Sequence, residues 1–391
     1  MRFAQADGAG EFASQRSTPP RLTPHPVMLA GKRKFNLYLP EEFEITVAAE
    51  NLRRVRFMAR SPDGRIFVTD MHDRTDNRRG AVYVLDRFDE RAGRFRKVTR
   101  YLNNLRNPNS IAFHLDRRGD SWLYLALTDR LLRYRYMPGE NAPAGEPEVL
   151  ATFPDEGLSY KYGGWHLTRT ITIGANNKLY VSVGSSCNAC VEKEKVRASI
   201  IEMDLNGSNK RFFAQGLRNA VGLKWTEGRL FATNMGADHL GDNRPDDAMF
   251  VVDENANYGW PYCYQFRSRN YADNKFNLAQ RAFQCRNVPR AFAFFGAHSS
   301  PLGFEYFSDR SDSVLANSFL VALHGSSKLN LRRGCSIAQV REGGGAPQDF
   351  IGGFQEGRII HGRPVDILRT GDNSFLFTDD TAGVIYYVYK K

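Results

Sequence analysis

Residues Ile171–Gly184 read ITIGANNKLYVSVG. Apolar and polar side chains alternate with period two on either side of an Asn-Asn turn, which predicts two short antiparallel strands rather than a helix. The phrase recurs as MARSPDGRIFVTD from Met58, IAFHLDRRGDSWLYLAL from Ile111, LKWTEGRLFATN from Leu223 and DILRTGDNSFLFTDD from Asp366, with a looser copy, FEYFSDRSDSVLANSFLVAL, from Phe304. The turns centre near Asp63, Gly119, Asn176, Glu227, Asn317 and Asp372, so the spacings are about 56, 57, 51, 90 and 55 residues. Another strand usually follows each phrase, as in AVYVLDRF, SIIEMDL and VIYYVYK. Four short antiparallel strands in about fifty-five residues make one propeller blade. The expectation is therefore an all-β, six-bladed β-propeller over residues 35–391, its four-stranded blades set around a central channel, with an insertion at about 255–297 filling the long gap. A sandwich would not explain six phrases at a near-constant period, and seven blades is the main alternative count. Because a lone blade cannot bury both faces, the ring must close, and Phe35–Leu39 or Phe43–Ala48 is expected to pair with the last blade.

The totals are those of a globular chain: 391 residues, 42% hydrophobic and 25% charged. No run of 18 or more apolar residues occurs, so no membrane span is expected, and no apolar signal-peptide core is visible near the start. Residues 1–34 are expected to be a flexible N-terminal segment, since Met1–Pro26 lacks periodicity. Lys and Arg exceed Asp and Glu by 54 − 43 = 11. The basic residues, among them Arg53, Arg54, Arg56, Arg332 and Arg333, are scattered and no nucleic-acid motif appears, so nucleic acid is not an expected partner. Of five cysteines, Cys187 and Cys190 form a C-x-x-C, Cys263 and Cys285 lie 22 apart and Cys335 stands alone. Without a second C-x-x-C or a His pair, structural zinc is not indicated, and the strand-and-loop context does not suit a thioredoxin motif. One or two loop-pinning disulfides in an exported protein are favoured over free thiols.

Propeller ligands gather where inner-strand loops converge on one channel mouth. Three clusters stand at such ends. GGWHLTRTITIG, Gly163–Gly174, carries His166 at an inner-strand entry, where an imidazole could take a hydroxyl proton or simply cap the strand. GLRNAVGL, Gly216–Leu223, brings Arg218 and Asn219 to the equivalent place one blade later, and a guanidinium there could bind a carboxylate or an oxyanion. Thr233–Pro261 combines glycines, Asp238, Asp242, Asp246, Asp247 and exposed carbonyls, which suits calcium, though its acidic spacing is not that of an EF-hand.

These pieces, with GSSCNAC (Gly184–Cys190), NMGADHLGD, NYGWPYC, HSSPLG (His298–Gly303), LHGS and GRPVD (Gly362–Asp366), occur in an order that resembles the soluble glucose/sorbosone dehydrogenases. The likeness is greatest to their bacterial sorbosone-dehydrogenase-like branch and runs from about Asn51 to Tyr389. The resemblance implies a propeller using pyrroloquinoline quinone (PQQ) and calcium to oxidise the anomeric hydroxyl of an aldose or related sugar, by hydride transfer to PQQ. It implies His166 as general base and Arg218 as oxyanion partner, both catalytic. Asn219, Lys328 or Arg332, and Arg363 would contact the cofactor, and the carbonyls of Gly236 and Ala237 would hold the calcium. It further implies export to the periplasm or beyond, and a cytochrome or quinone pool as electron acceptor. The sequence departs from the family at Val365, where a second arginine is usual, at Ser327 and Lys328 after LHGS, and at Ala248, where an acidic residue is common. Two other classes suit a propeller: a calcium-dependent lactonase, for which Asn109, Asn219 and Asp366 could surround a central metal, and a non-catalytic module that binds a glycan or protein.

Overall fold

The computed structural model describes residues 20–155 and 165–391. Six antiparallel units of four strands form the ring, and the short strand Ala256–Asn257 adds in parallel to the outer edge of the third. Blade one runs Val55–Arg60, Ile66–Asp70, Gly80–Asp89, Arg94–Leu105, and blade two Ser110–Leu115, Ser121–Ala126, Arg130–Tyr136, Glu148–Thr152. Blade three is Arg169–Ile173, Lys178–Val183, Ser199–Asp204, Arg211–Gln215, and blade four Leu223–Thr226, Arg229–Asn234, Asp247–Val251, Ala293–Phe295. Blade five is Pro301–Phe307, Ser318–Leu323, Ser336–Arg341, Gln348–Ile351. Blade six has Pro364–Gly371, Ser374–Asp379 and Val384–Lys390 from the C-terminal end, and takes its outer strand, Phe43–Ala49, from near the start of the chain. That pairing closes the ring. Between the third and fourth strands of blade four lies a hairpin of Cys263–Phe266 with Arg269–Ala272, joined to Cys285 by a disulfide from Cys263. Among the described residues no helix is long and apolar enough to cross a membrane.

One expectation is corrected. Residues 1–34 are not a flexible segment throughout: Leu22–Leu29 forms a strand that pairs with Arg33–Pro40, while residues 1–19 lie outside the described residues. Pro24 and Pro26 hid it from a pattern search. They occupy alternate positions of an edge strand, where the lost N–H groups point away from the partner. The alternate residues His25, Val27 and Leu29 are buried, and Val27 and Leu29 pack with Phe35, Leu37 and Leu39 against Phe350 and Phe354. Phe35–Leu39 thus belongs to this hairpin, and Phe43–Ala49 is the strand that closes the ring.

Interdigitated aromatic side chains fill the wedges between blades. Fully buried Phe67 of blade one meets Tyr101, and also Phe113 and Tyr136 of blade two, edge to face at 5.0–5.7 Å. Each such pair contributes about 0.5–1.5 kcal/mol beyond simple burial.

A polar stitch recurs nearer the axis. Inner strands of blades one, five and six shift register just inside their upper ends, which frees backbone groups there. Thr69 accepts from the Phe57 N–H (3.1 Å) and donates to the Asn109 carbonyl of blade two (2.7 Å). Thr233 accepts from Gly222 and donates to Leu302 of blade five, and Thr378 accepts from Asp366 and donates to Arg56 of blade one. One buried hydroxyl therefore satisfies two buried backbone groups and ties a blade to its neighbour.

Candidate active site

The residue after each stitching threonine faces the channel mouth. Asp70 accepts the N–H groups of Arg53 and Arg54 (2.9 and 3.0 Å), Asn234 that of Asn219 (3.0 Å), and Asp379 that of Arg363 (2.9 Å). The repeat phrase thus sets the backbone at the entries to three inner strands, and the side chains placed there line a cavity of about 320 Å³. Arg54, Arg74, Arg218 and Arg363 surround it, together with Trp165, His166, Gly236 and Asp247. A wider opening of about 540 Å³, lined in part by Asn219, shares His166, Arg54 and Arg74 with it.

His166 stands just before the inner strand of blade three with a left-handed backbone (φ 50°). Such a conformation costs a non-glycine residue of order 1–3 kcal/mol and persists only where its surroundings impose it. Fully buried Arg169 supplies the restraint by donating to the His166 carbonyl at 2.7 Å. The imidazole Nδ1 lies 2.9 Å from the Ser185 carbonyl oxygen, which can only accept, so Nδ1 carries the proton. Nε2 is left unprotonated and has no partner among the described residues. Burial and then the nearby Arg218 charge push His166 well below the usual imidazole range, so it is neutral at pH 7. Gly163 and Gly164 of the same motif lie outside the described residues.

Arg218 is 3% exposed and donates from Nε to the Asn188 carbonyl (2.8 Å) and from Nη2 to Asn188 Oδ1 (3.0 Å). Among the described residues no carboxylate lies within ion-pair distance, so its charge is held in place by neutral partners, with Asp238 and Asp247 attracting it only at longer range. Asn219 donates to Met235 Sδ at 3.5 Å. Arg363 donates to the carbonyls of His324 (2.6 Å) and Ser326 (2.9 Å). At the floor, buried Asp380 holds Arg54 (2.6 Å), Arg56 (2.7 Å) and His324 (2.9 Å). Burial alone would raise the Asp380 pKa, but His324 and the two guanidiniums overcome it and keep the carboxylate ionised.

The metal-site candidates lie on one wall. Gly236 lines the cavity and buried Ala237 sits behind it. The Gly236 and Ser300 N–H groups each donate to the Asp247 carboxylate at 2.7 Å. Burial pushes Asp247 up to about 6, and no cationic side chain pairs with it among the described residues. A buried carboxylate with no ion-pair partner among the described residues, attracted only at longer range by Arg218 and beside a glycine-containing loop, fits a hard cation. Four guanidiniums around one cavity fit an anion bearing several carboxylates. Among the described residues, the one close cluster of His, Cys, Asp and Glu is Cys187, Cys190 and Glu192, and its two sulfurs are joined as a disulfide.

His166, Arg218, Gly236 and Arg363 come together at this cavity, and Asn219 adjoins it. Lys328 and Arg332 do not line it. Lys328 is spent on Asp242 at 2.5 Å, half exposed, and Arg332 is exposed on the rim. Arg54 and Arg74 line it, Arg54 with its guanidinium paired to Asp380. Sequence reading grouped Arg54 with the scattered surface arginines, and the Thr-Asp phrase that anchors its N–H was the available signal. The lactonase set does not assemble. Asn109 is consumed by Arg56, the Arg169 carbonyl and Thr170, while Asp366 lines a separate cavity of about 270 Å³ with Lys224.

The fold is similar to several solved structures. The pyranose dehydrogenase PQQ domain of Coprinopsis cinerea in its holo form superposes with TM-score 0.71 at 18% identity, covering 91% of this chain and 97% of that one. The calcium structure of the Trichoderma reesei Carbohydrate-Active Enzymes Family AA12 protein gives 0.72 at 17%, covering 96% and 98%. The PQQ-bound aldose sugar dehydrogenase of Streptomyces coelicolor gives 0.61 at 18%, covering 90% and 100%. An uncharacterized protein of Borreliella burgdorferi is 30% identical over 235 residues, a match spanning 57% of this chain and 60% of that relative's length. The family profile described as TrAA12-like matches residues 37–350, most of the ring, and the chain belongs to that family.

Proposed function

We propose that the protein is a PQQ- and calcium-dependent oxidoreductase that removes hydride from the anomeric carbon of an aldose or related sugar. The observation that carries this reading is one cavity lined by both a neutral imidazole, whose Nε2 has no partner among the described residues, and a guanidinium with no ion-pair partner among them. The likeness to solved sugar dehydrogenases with PQQ and to a calcium-containing structure supports the choice of cofactor and metal.

Arg54, Arg74 and Arg363 would hold the carboxylates of the quinone. The Gly236 and Ala237 carbonyls, with Asp247 behind them, would hold the calcium. When bound, the quinone supplies the hydride acceptor and the cation polarises its reactive carbonyl. His166 Nε2 accepts the proton of the sugar's anomeric hydroxyl, while Ser185 holds the opposite ring nitrogen in the right tautomer. Arg218 would stabilise the negative charge that the hydride acceptor gains on its oxygen, and burial strengthens that interaction by excluding water. Two disulfides support an exported location, where a cytochrome or quinone pool would take the electrons.

Titrating the chain with PQQ and calcium, then adding aldoses and a redox dye, tests the proposal. The expected result is saturable quinone binding and sugar-dependent dye reduction that needs both. Lactone hydrolysis without quinone, or no reaction in either assay, would refute it.

A further inference from the structure

Residues 184–192 form an irregular loop between His166 and Arg218, and its contacts reach both side chains. Ser185 receives the His166 Nδ1 proton at its carbonyl, and its own N–H donates to the Arg218 carbonyl at 2.8 Å. Ser185 Oγ lies 2.9 Å from the same Nδ1 and donates to the Cys187 carbonyl at 2.8 Å. One residue on, Asn188 accepts from the Arg218 guanidinium at its carbonyl and at Oδ1, and Oδ1 also accepts the Asp238 N–H at 2.9 Å. Gly184 brings the loop close enough. A Cβ there would stand 2.6 Å from both His166 Cβ and Asn219 Oδ1. No strand pairing restrains residues 185–192, so their shape depends on the Cys187–Cys190 disulfide and on Glu192, which accepts from the Ser186 N–H (2.7 Å) and hydroxyl (2.6 Å).

We propose that this disulfide-closed loop is the clamp that sets His166 and Arg218 against each other, with Asn188 as the positioning residue. The choice of side chain follows from electrostatics. An aspartate could orient the guanidinium equally well but would neutralise it. The neutral amide fixes the fork and leaves its positive charge free for an anionic group in the cavity. Asn188 acts through Arg218 and does not line the cavity. The proposal rests on the reading of His166 and Arg218 as the reacting pair.

Two readouts on Asn188→Ala and Asn188→Asp, both of which leave the disulfide intact, test it. Phenylglyoxal modification of Arg218 in the cofactor-free chain, followed by peptide mass spectrometry, reads the clamp without activity. Dye reduction with PQQ, calcium and aldose reads its consequence. Asn188→Ala is expected to speed modification of Arg218 roughly tenfold or more, as expected for losing a hydrogen bond to a charged group, and to lower turnover by a similar factor. Asn188→Asp is expected to keep Arg218 slow to react, yet still to lower turnover because the charge is compensated. A cofactor-free Asn188→Ala chain with Arg218 as protected as in the wild type would overturn the clamp. Wild-type turnover in Asn188→Asp would overturn the neutral-amide argument. If the wild-type chain reduces no dye with any aldose, the oxidoreductase reading fails, and the modification rates still decide the clamp.

Discussion

His166 concentrates several costs in one residue: a left-handed backbone, a half-buried ring, and a cationic neighbour that opposes protonation. Each makes sense for a base that must be neutral and aimed. His166→Gln should lower dye reduction by about 10²–10⁴-fold with quinone binding retained, because the amide cannot take up the proton. In the cofactor-free chain, ¹⁵N NMR of the His166 ring should show Nε2 unprotonated at pH 6.5 and a midpoint well below that value. The sign of the linkage follows. The unfolded chain takes up this proton near 6.5 and the folded one only at lower pH, so His166 costs stability progressively as pH falls below about 6.5. A midpoint near 6.5 would mean that water reaches the ring freely.

At the scale of elements, the hairpin and the stitch can be tested separately. Leu29 is 6% exposed and packs in the cluster beneath blades five and six. Leu29→Ala should therefore cost about 2–5 kcal/mol in urea unfolding, whereas the same change in a flexible tail would cost nothing. Thr378→Val preserves shape but leaves the Asp366 N–H and the Arg56 carbonyl without their partner, for a loss of about 1–3 kcal/mol by the same measurement. These two elements differ in how legible they were. The phrases ending IFVTD, LFATN and FLFTD carry the threonine and its Asx neighbour in plain view, and only their role as rim anchors needed coordinates. The hairpin was hidden because Pro24 and Pro26 break the pattern of a strand while remaining compatible with an edge.

Over the whole molecule, the cationic mouth and the cavity that holds Asp366 are lined by different residues. Burial pushes Asp366 up to about 7 from 3.8, and its carboxylate accepts the Met58 N–H. Between those values the folded chain binds a proton that the unfolded chain has lost, so this group makes stability fall as pH rises from about 4 to 7. Asp366→Asn keeps the acceptor and removes the charge. It should raise thermal stability at pH 8, by up to about 4 kcal/mol, and by less at pH 5. An equal gain at both pH values would refute the buried-charge explanation. The sequence alone determined the blade count and the turn positions, and it put His166 and Arg218 at equivalent strand entries, because strand alternation and repeat spacing are local properties; Gly236 and Arg363 came from the family resemblance. Only the tertiary structure decided that Arg54 and Arg74 stand at the cavity in place of Lys328 and Arg332, and that Asn188 holds Arg218. Those choices depend on which loop ends meet across the ring axis, and contacts between residues far apart in the chain leave no periodic trace along it.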